Sequence, residues 1–491
     1  MKQLSGIDNM FLALESKNQY MHVASLSIYD PSTAPGGKVR FKTVLDYFTS
    51  RLSVSKVFRR RLVKPPFFMD RPYWIEDASI DVEYHVRHIG LPHPGDWRQL
   101  MIQIARIHAR PLDLSKPLWE AYIIEGLDNI PGIAKGSFAL YTKMHHSAID
   151  GEMGAELAAA IHTLEPEFEL SEDAMGHSSK NRGEAEPGLW ELAGKAVNHR
   201  TKQIVDGSKL ALTVSKRAVN LGREYGPAVK EMGEGYLNRV LGRTKASQDS
   251  EKRSSKIPRT RFQNKVSPHR VVDAVGLPLA EFKTIREGVE GVTINDIFLT
   301  LVGGGMKRYL ESKGETPESS LSASIPISAR KAKGQDVGNQ VGMTVTSLHS
   351  DIEDPVERLK AVAEGAQGAK KVSDNLGVDL PMQLMNVVPS AIFESVLPYA
   401  MKNTCNVLVS NVRGPNVPLY FAGAQLQVYM PVSIPVNGGG LNVTGFSYNG
   451  VMWISVTCCR TMMPDPAFFM QCLKDDFESL VEASKVSESV A

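Results

Sequence analysis

"TKMHHSAIDG", residues 142–151, sets two adjacent histidines ahead of an aspartate and a glycine. "GSFALYTKM" before it reads as a strand, and the alanine-rich "EMGAELAAAIHTL" (152–164) after it reads as a helix. The motif therefore sits where a strand hands over to a helix. Adjacent residues of a strand point to opposite faces, so His145 and His146 are poorly placed to share one ion. No other His or Cys cluster lies at ligand spacing, and no metal is predicted. Two readings stay open. In one, a histidine fills a turn and Asp150 caps the next helix. In the other, an imidazole at a strand end faces a ligand crevice, where a pKa near 6.5 lets it take a proton from a hydroxyl at neutral pH.

The chain has 491 residues, 42% hydrophobic and 22% charged, which predicts two globular domains and excludes wholesale disorder. A net charge of +2 gives no global reason to expect nucleic acid as a partner. Cys405, Cys458, Cys459 and Cys472 form no disulfide framework. "MKQLSGIDNMFLALES" lacks the basic start and apolar run of a signal peptide, and no run of about 18 apolar residues occurs. A reducing, cytoplasmic setting is expected.

Strand patterns are predicted at 22–30, 82–90, 269–276, 321–328, 406–412, 425–434, 441–448 and 451–459. Helices are predicted at 97–112, from about Thr293, at 354–373 and 381–402, and from Pro466. From Leu189 to about Val240 the pattern is purely helical, with an apolar stripe that starts at Leu189, Ala193 and Ala196. Residues 188–245 hold 11 Lys and Arg against 5 Asp and Glu. The fold class is α/β (α+β) with mixed sheets. Residues 1–187 form a first domain, 188–265 a basic helical bridge and linker, and 266–491 a second domain.

No G-x-S-x-G elbow, P-loop or strand-linked dinucleotide fingerprint is present. "VGGGM" (302–306) sits inside a helical pattern and "NGGGL" (437–441) between strands, so neither cradles phosphate. "HHSAIDG" resembles the HHxxxDG motif of the CoA-dependent acyltransferases, whose two-domain fold is that of chloramphenicol acetyltransferase. Within that superfamily the chain resembles the bacterial wax ester synthase/diacylglycerol acyltransferases. "LSGIDNMFLALESKNQYMHV" (4–23), "PLDLSKPLWEAYIIEGL" (111–127), "TINDIFL" (293–299) and "LVSNVRGP" (408–415) carry the resemblance in order.

The resemblance implies an active site at the domain interface, with acyl-CoA as donor and a fatty alcohol or diacylglycerol as acceptor. It implies no cofactor. His146 would be the general base, His145 its support, and Asp150 a structural carboxylate paired with an arginine, for which Arg330 is the candidate. Gly151 would make the tight turn. Asn295 and Asp296 match the family's Asn-Asp pair. Asn295 would donate to an oxyanion, while the T-x-x-D spacing from Thr293 makes Asp296 a helix cap. Pro117, Leu118 and Trp119 match a "PLW" block in which Trp119 reads as packing. Ser410 and Asn411 open "SNVRGP", where Arg413 replaces the family's proline, loosens the expected turn and adds charge. "SARKAKG" (328–334) offers Arg330, Lys331 and Lys333 to CoA phosphates.

The basic bridge and insoluble product leave room for peripheral contact with a membrane or lipid inclusion. Two alternatives remain: a carrier-protein-dependent condensation enzyme, and a non-catalytic lipid-surface protein of the same fold.

Overall fold

The computed structural model describes residues 1–65, 70–149, 159–168, 183–199, 201, 257–328, 341–376 and 404–488. Most of the predicted helix 152–164, the bridge beyond residue 201, and the predicted helix 381–402 lie outside these residues.

The first half is built on β2 (His22–Asp30), β5 (Val86–Gly90), β6 (Trp119–Glu125) and β7 (Phe138–His145). Beside them a small sheet of β1 (Lys2–Gln3), β3 (Arg60–Val63) and β4 (Tyr73–Glu76) was not foreseen from the sequence. Every residue of β7 is buried, because both faces of its sheet are covered. Phe138, Leu140 and Met144 pack with Val44, Tyr47 and Phe48 of α2 (Phe41–Arg51). Ala139 and Tyr141 pack with Leu100, Ile104 and Ile107 of α4 (Trp97–His108). Asp96 starts α4 by accepting the Gln99 N–H at 2.8 Å.

The strand expected at 82–90 begins only at Val86. Asp81 accepts the N–H groups of Glu83 and Tyr84, and this cap winds Val82–His85 into the short helix α3. The predicted stripe after Leu189 also turns differently. In the helix at 189–199, Leu192 and Ala196 are buried, Leu192 against Val63, Tyr73 and Ile75, while Leu189 is 68% exposed.

The second half carries a six-stranded sheet in the order β10–β9–β11–β14–β15–β8. These are β8 (Arg270–Pro278), β9 (Ser322–Ser328), β10 (Val341–Ser347), β11 (Val407–Arg413), β14 (Leu441–Tyr448) and β15 (Val451–Cys459). One face is covered by α5 (Leu279–Gly288), α6 (Ile294–Ser312), α7 (Pro355–Leu376) and α8 (Pro466–Glu488). The chain does not stay in its own half, however. β12 (Tyr420–Phe421) and β13 (Ala424–Val432) cross over and complete the first sheet, in the order β12–β13–β2–β7–β6–β5. β13 runs antiparallel to β2 from Gln425↔Asp30 to Val432↔Ala24. A division of the chain at residue 266 therefore does not divide the sheets.

The crossing strand also joins the halves face to face. Tyr429 stacks on Phe446 at 4.3 Å, and Ser455 Oγ donates to the Pro431 carbonyl. His108 Nε2 donates to the Ser433 carbonyl at 2.9 Å, and Trp97 Nε1 donates to Asp273 at 2.8 Å.

The glycine run 303–305 lies inside α6 and sets how closely α8 approaches. A Cβ on Gly304 would meet both Asp476 carboxylate oxygens at 2.2 Å. Asp476 is buried and accepts two hydrogen bonds from Arg358 Nη2, at 2.8 and 2.9 Å. Gly304→Ala is expected to lower unfolding stability by about 3 kcal/mol, through overpacking and a disturbed buried ion pair. The midpoint of a urea titration checks this.

Candidate active site

His145 ends β7 and pairs across the ladder with His22 at the start of β2. The chain then turns through a single 3-10 turn, His146–Ala148. Three backbone contacts fix it: His145 N–H donates to the Leu118 carbonyl at 3.0 Å, His146 N–H to the Met21 carbonyl at 2.7 Å, and Ile149 N–H to the His146 carbonyl at 3.3 Å. Arg60 Nη2 donates to the Ala148 carbonyl at 2.7 Å and lies over the Trp74 ring.

The two imidazoles then differ in environment. His145 is fully buried. Its Nδ1 accepts the Ser147 N–H at 3.1 Å and lies 2.7 Å from Ser147 Oγ. Nε2 is thus the protonated nitrogen, and it faces Glu15 Oε1 at 3.2 Å. His146 keeps some accessible surface, and its ring stacks on Phe11 of α1 (Gly6–Ala13) at 3.9 Å. Its Nδ1 is buried without a hydrogen bond of normal geometry. Burial pushes the His146 pKa down to about 4; interaction with its own backbone raises it, and His145 lowers it further. At neutral pH the ring carries a lone pair, not a charge.

Behind the histidines, polar side chains are sealed inside the sheet. Lys143 Nζ, fully buried, meets Glu120 Oε2 at 3.2 Å and donates to the Arg110 carbonyl at 3.1 Å. Burial lowers its pKa, and Glu120 opposes that shift. His22 is pushed well below its ordinary value, by burial first and then by Lys143. Burial drives His108 down to about 3. His108 Nδ1 accepts from the Tyr141 hydroxyl at 2.7 Å, since Nε2 donates to Ser433.

A second polar group is assembled by the other half. Thr293 and Asp296 close a capping box: the Thr293 N–H reaches Asp296 Oδ2 at 2.8 Å, and the Asp296 N–H reaches Thr293 Oγ1 at 3.2 Å. Asn295, in the same first turn, is half-buried, and its Oδ1 accepts from Asn411 Nδ2 at 3.4 Å. Its own amide N–H groups are therefore the end left for another acceptor, at the positive end of a 19-residue helix. Gly445 makes room for Asn411: a Cβ there would lie 3.2 Å from Asn411 Oδ1.

Ser410 and Asn411 lie on β11, paired with Thr444 and Gly445 of β14. Arg413 is exposed and continues this ladder opposite Ser447, so the strand runs on where a turn was expected. Trp119 is buried, donates to the Phe58 carbonyl at 3.1 Å and stacks on His85 at 4.4 Å. Asp150, Gly151, Arg330, Lys331 and Lys333 lie outside the described residues. Among those that are described, no group of three or more His, Cys, Asp or Glu could hold a metal, and no helix is long and apolar enough to cross a membrane.

The comparisons with known proteins agree with one another. The profile of the wax ester synthase/diacylglycerol acyltransferase catalytic domain matches residues 4–298, and that of the WS/DGAT C-terminal domain matches residues 337–481. The chain belongs to the wax ester synthase/diacylglycerol acyltransferase family. It is 29% identical over 490 residues to O-acyltransferase WSD of Acinetobacter baylyi, covering 97% of this chain and 96% of that one. The wax ester synthase/diacylglycerol acyltransferase from Marinobacter aquaeolei has 25% identity and a TM-score of 0.69, covering 99% and 100% of the two chains. A condensation domain of the calcium-dependent antibiotic synthetase shares the fold alone, at 14% identity and a TM-score of 0.56, covering 99% of this chain and 96% of that one.

Sequence reading missed Glu15, Phe11, His22 and Arg60, the residues that enclose the family's motif here. Glu15, Phe11 and His22 fall in the opening block 4–23, whose resemblance flagged the block without giving it a task.

Protonation removes the His146 lone pair, so activity that needs it falls as pH drops through the folded-state value. The acid limb of kcat/KM is expected near pH 4, not near the 6.5 of a free imidazole, and a pH–rate profile checks it.

Proposed function

We propose that this O-acyltransferase moves a long-chain acyl group from acyl-CoA to the hydroxyl of a fatty alcohol or a diacylglycerol, with His146 as general base. The observation that carries this reading is a neutral, partly accessible imidazole held at a strand end within HHSAIDG. His146 Nε2 takes the alcohol proton as the oxygen attacks the thioester carbonyl. The tetrahedral oxyanion accepts from the Asn295 amide. Collapse expels the CoA thiolate, which regains a proton from the imidazolium. A thiolate with parent pKa near 8.5 leaves far more readily than an alkoxide, so no acyl-enzyme is needed.

Lys143 is unsuited to the role of base. Its ammonium is already engaged by Glu120 and two carbonyls, and it has no accessible surface. Arg330, Lys331 and Lys333 remain the proposed contacts for CoA phosphates.

Thiol release by the purified chain with palmitoyl-CoA and hexadecanol, dipalmitoylglycerol or no acceptor tests the reading. Acceptor-dependent release is expected, and His146→Ala is expected to abolish it in folded protein. Asn295→Ala is expected to lower kcat roughly 100-fold, the usual effect of losing one oxyanion donor. Acceptor-dependent release that survives His146→Ala would remove the base assignment. No release with any acceptor would favour a carrier-bound donor.

The products are insoluble, so we also propose that the protein works at a lipid surface. Trp190 is 91% exposed and Val197 60% exposed on the outer face of the helix at 189–199, which supports peripheral contact. Co-flotation with anionic liposomes, weakened by Trp190→Glu, is the expected result.

A further inference from the structure

The opening block of the chain has no part in the reaction above, yet it wraps both motif histidines. Ser5 caps α1 by accepting the Asp8 N–H, and Phe11 on that helix covers the His146 ring. The chain then folds back tightly. Ser16 and Gln19 exchange backbone hydrogen bonds at 2.8 and 3.1 Å, and the Gln19 side chain donates to the Leu14 carbonyl at 2.7 Å. That turn returns Met21 to Glu15.

Glu15 Oε1 accepts the Met21 N–H at 3.2 Å, lies 3.2 Å from His145 Nε2 and sits 3.6 Å from His22 Nε2. The Met21 carbonyl in turn accepts the His146 N–H at 2.7 Å. One carboxylate oxygen thus faces the His145 ring and reaches His146 through the single residue Met21. With His145 Nδ1 accepting the Ser147 N–H, its proton sits on Nε2, which is buried without a hydrogen bond of normal geometry and faces the Glu15 carboxylate. Without Glu15 that N–H would face no acceptor, and the opposite tautomer would set Nδ1–H against the Ser147 N–H.

We infer that Glu15 is a positioning residue for acyl transfer, favouring together with Ser147 the Nε2-protonated His145 and anchoring Met21, whose carbonyl holds His146. The inference rests on His146 being the base. Glu15 touches no substrate. It fixes the turn from which His146 Nε2 is presented, and misplacing a reacting group by about 1 Å can cost roughly 100-fold in rate.

The test uses the full chain, with kcat and both KM values measured beside ¹⁵N spectra of labelled histidine, His145 being assigned from His145→Gln. Wild-type His145 is expected to be protonated at Nε2 alone. Glu15→Ala is expected to lower kcat roughly 100-fold with both KM values little changed, and to mix the His145 tautomers. Glu15→Gln, whose amide oxygen still accepts the Met21 N–H and faces His145 Nε2, is expected to recover most of kcat and the single tautomer.

Wild-type kcat in Glu15→Ala overturns the inference, and so does a lost kcat with the His145 tautomer unchanged. Should the alanine variant not fold, Glu15→Gln and Glu15→Asp decide. The aspartate falls one methylene short and must lose kcat while the glutamine keeps it; equal rates overturn the proposal. An inactive His146→Ala beside a fully active Glu15→Ala defeats the Glu15 role alone, whereas an active His146→Ala defeats the base assignment itself.

Discussion

A sheet covered on both faces leaves the polar side chains of its strands no water to turn to, and this constraint shapes the first half of the molecule. β7 is buried along all eight residues, so Lys143 and His145 must find partners inside. Lys143 takes Glu120 and the last carbonyls around α4, and His145 takes Ser147 and faces Glu15. The same desolvation keeps His22, His108 and His146 neutral. A low dielectric that would be costly around an unpaired charge thus suits the neutral imidazole of His146.

In the second half, one amide is held at a helix start. Thr293 and Asp296 spend their side chains on each other, which fixes the first turn of α6 and with it Asn295. Asn411 then pins the Asn295 oxygen, and Gly445 keeps the space Asn411 occupies. Far along the same helix, the glycine run fits α6 against Asp476 and Leu473 of α8. The helix is thereby seated at both ends.

Much of this fold was legible in the sequence. Strand patterns placed β2 at 22–30 and the strands at 441–448 and 451–459, all as observed, because these segments are eight or nine residues long. The cap at Thr293 was legible since it needs only residues three apart. The short helix at Val82–His85 was not, because one aspartate side chain outweighed β-branched content. Nor was the partner of β13, since pairing across nearly 400 residues leaves no mark on local pattern. At the site, the motif named the histidines, but Glu15 reaches His145, and Arg60 the Ala148 carbonyl, only through the folded chain. The sequence could not say which carboxylate or which guanidinium would arrive there.

The crossing of β13 also bears on how the chain comes into being. β2 pairs with β7 along one edge and with β13 along the other. On the ribosome the first edge can close once Phe138–His145 has emerged, but the second must wait for Ala424–Val432. At about 5–20 residues per second, roughly 300 further residues mean that β2 stands with an open edge for about 15–60 s. An unpaired strand edge invites pairing with another chain. The nascent protein thus passes through a window in which chaperone cover, or slow crowding of ribosomes on one message, decides between a finished sheet and an aggregate.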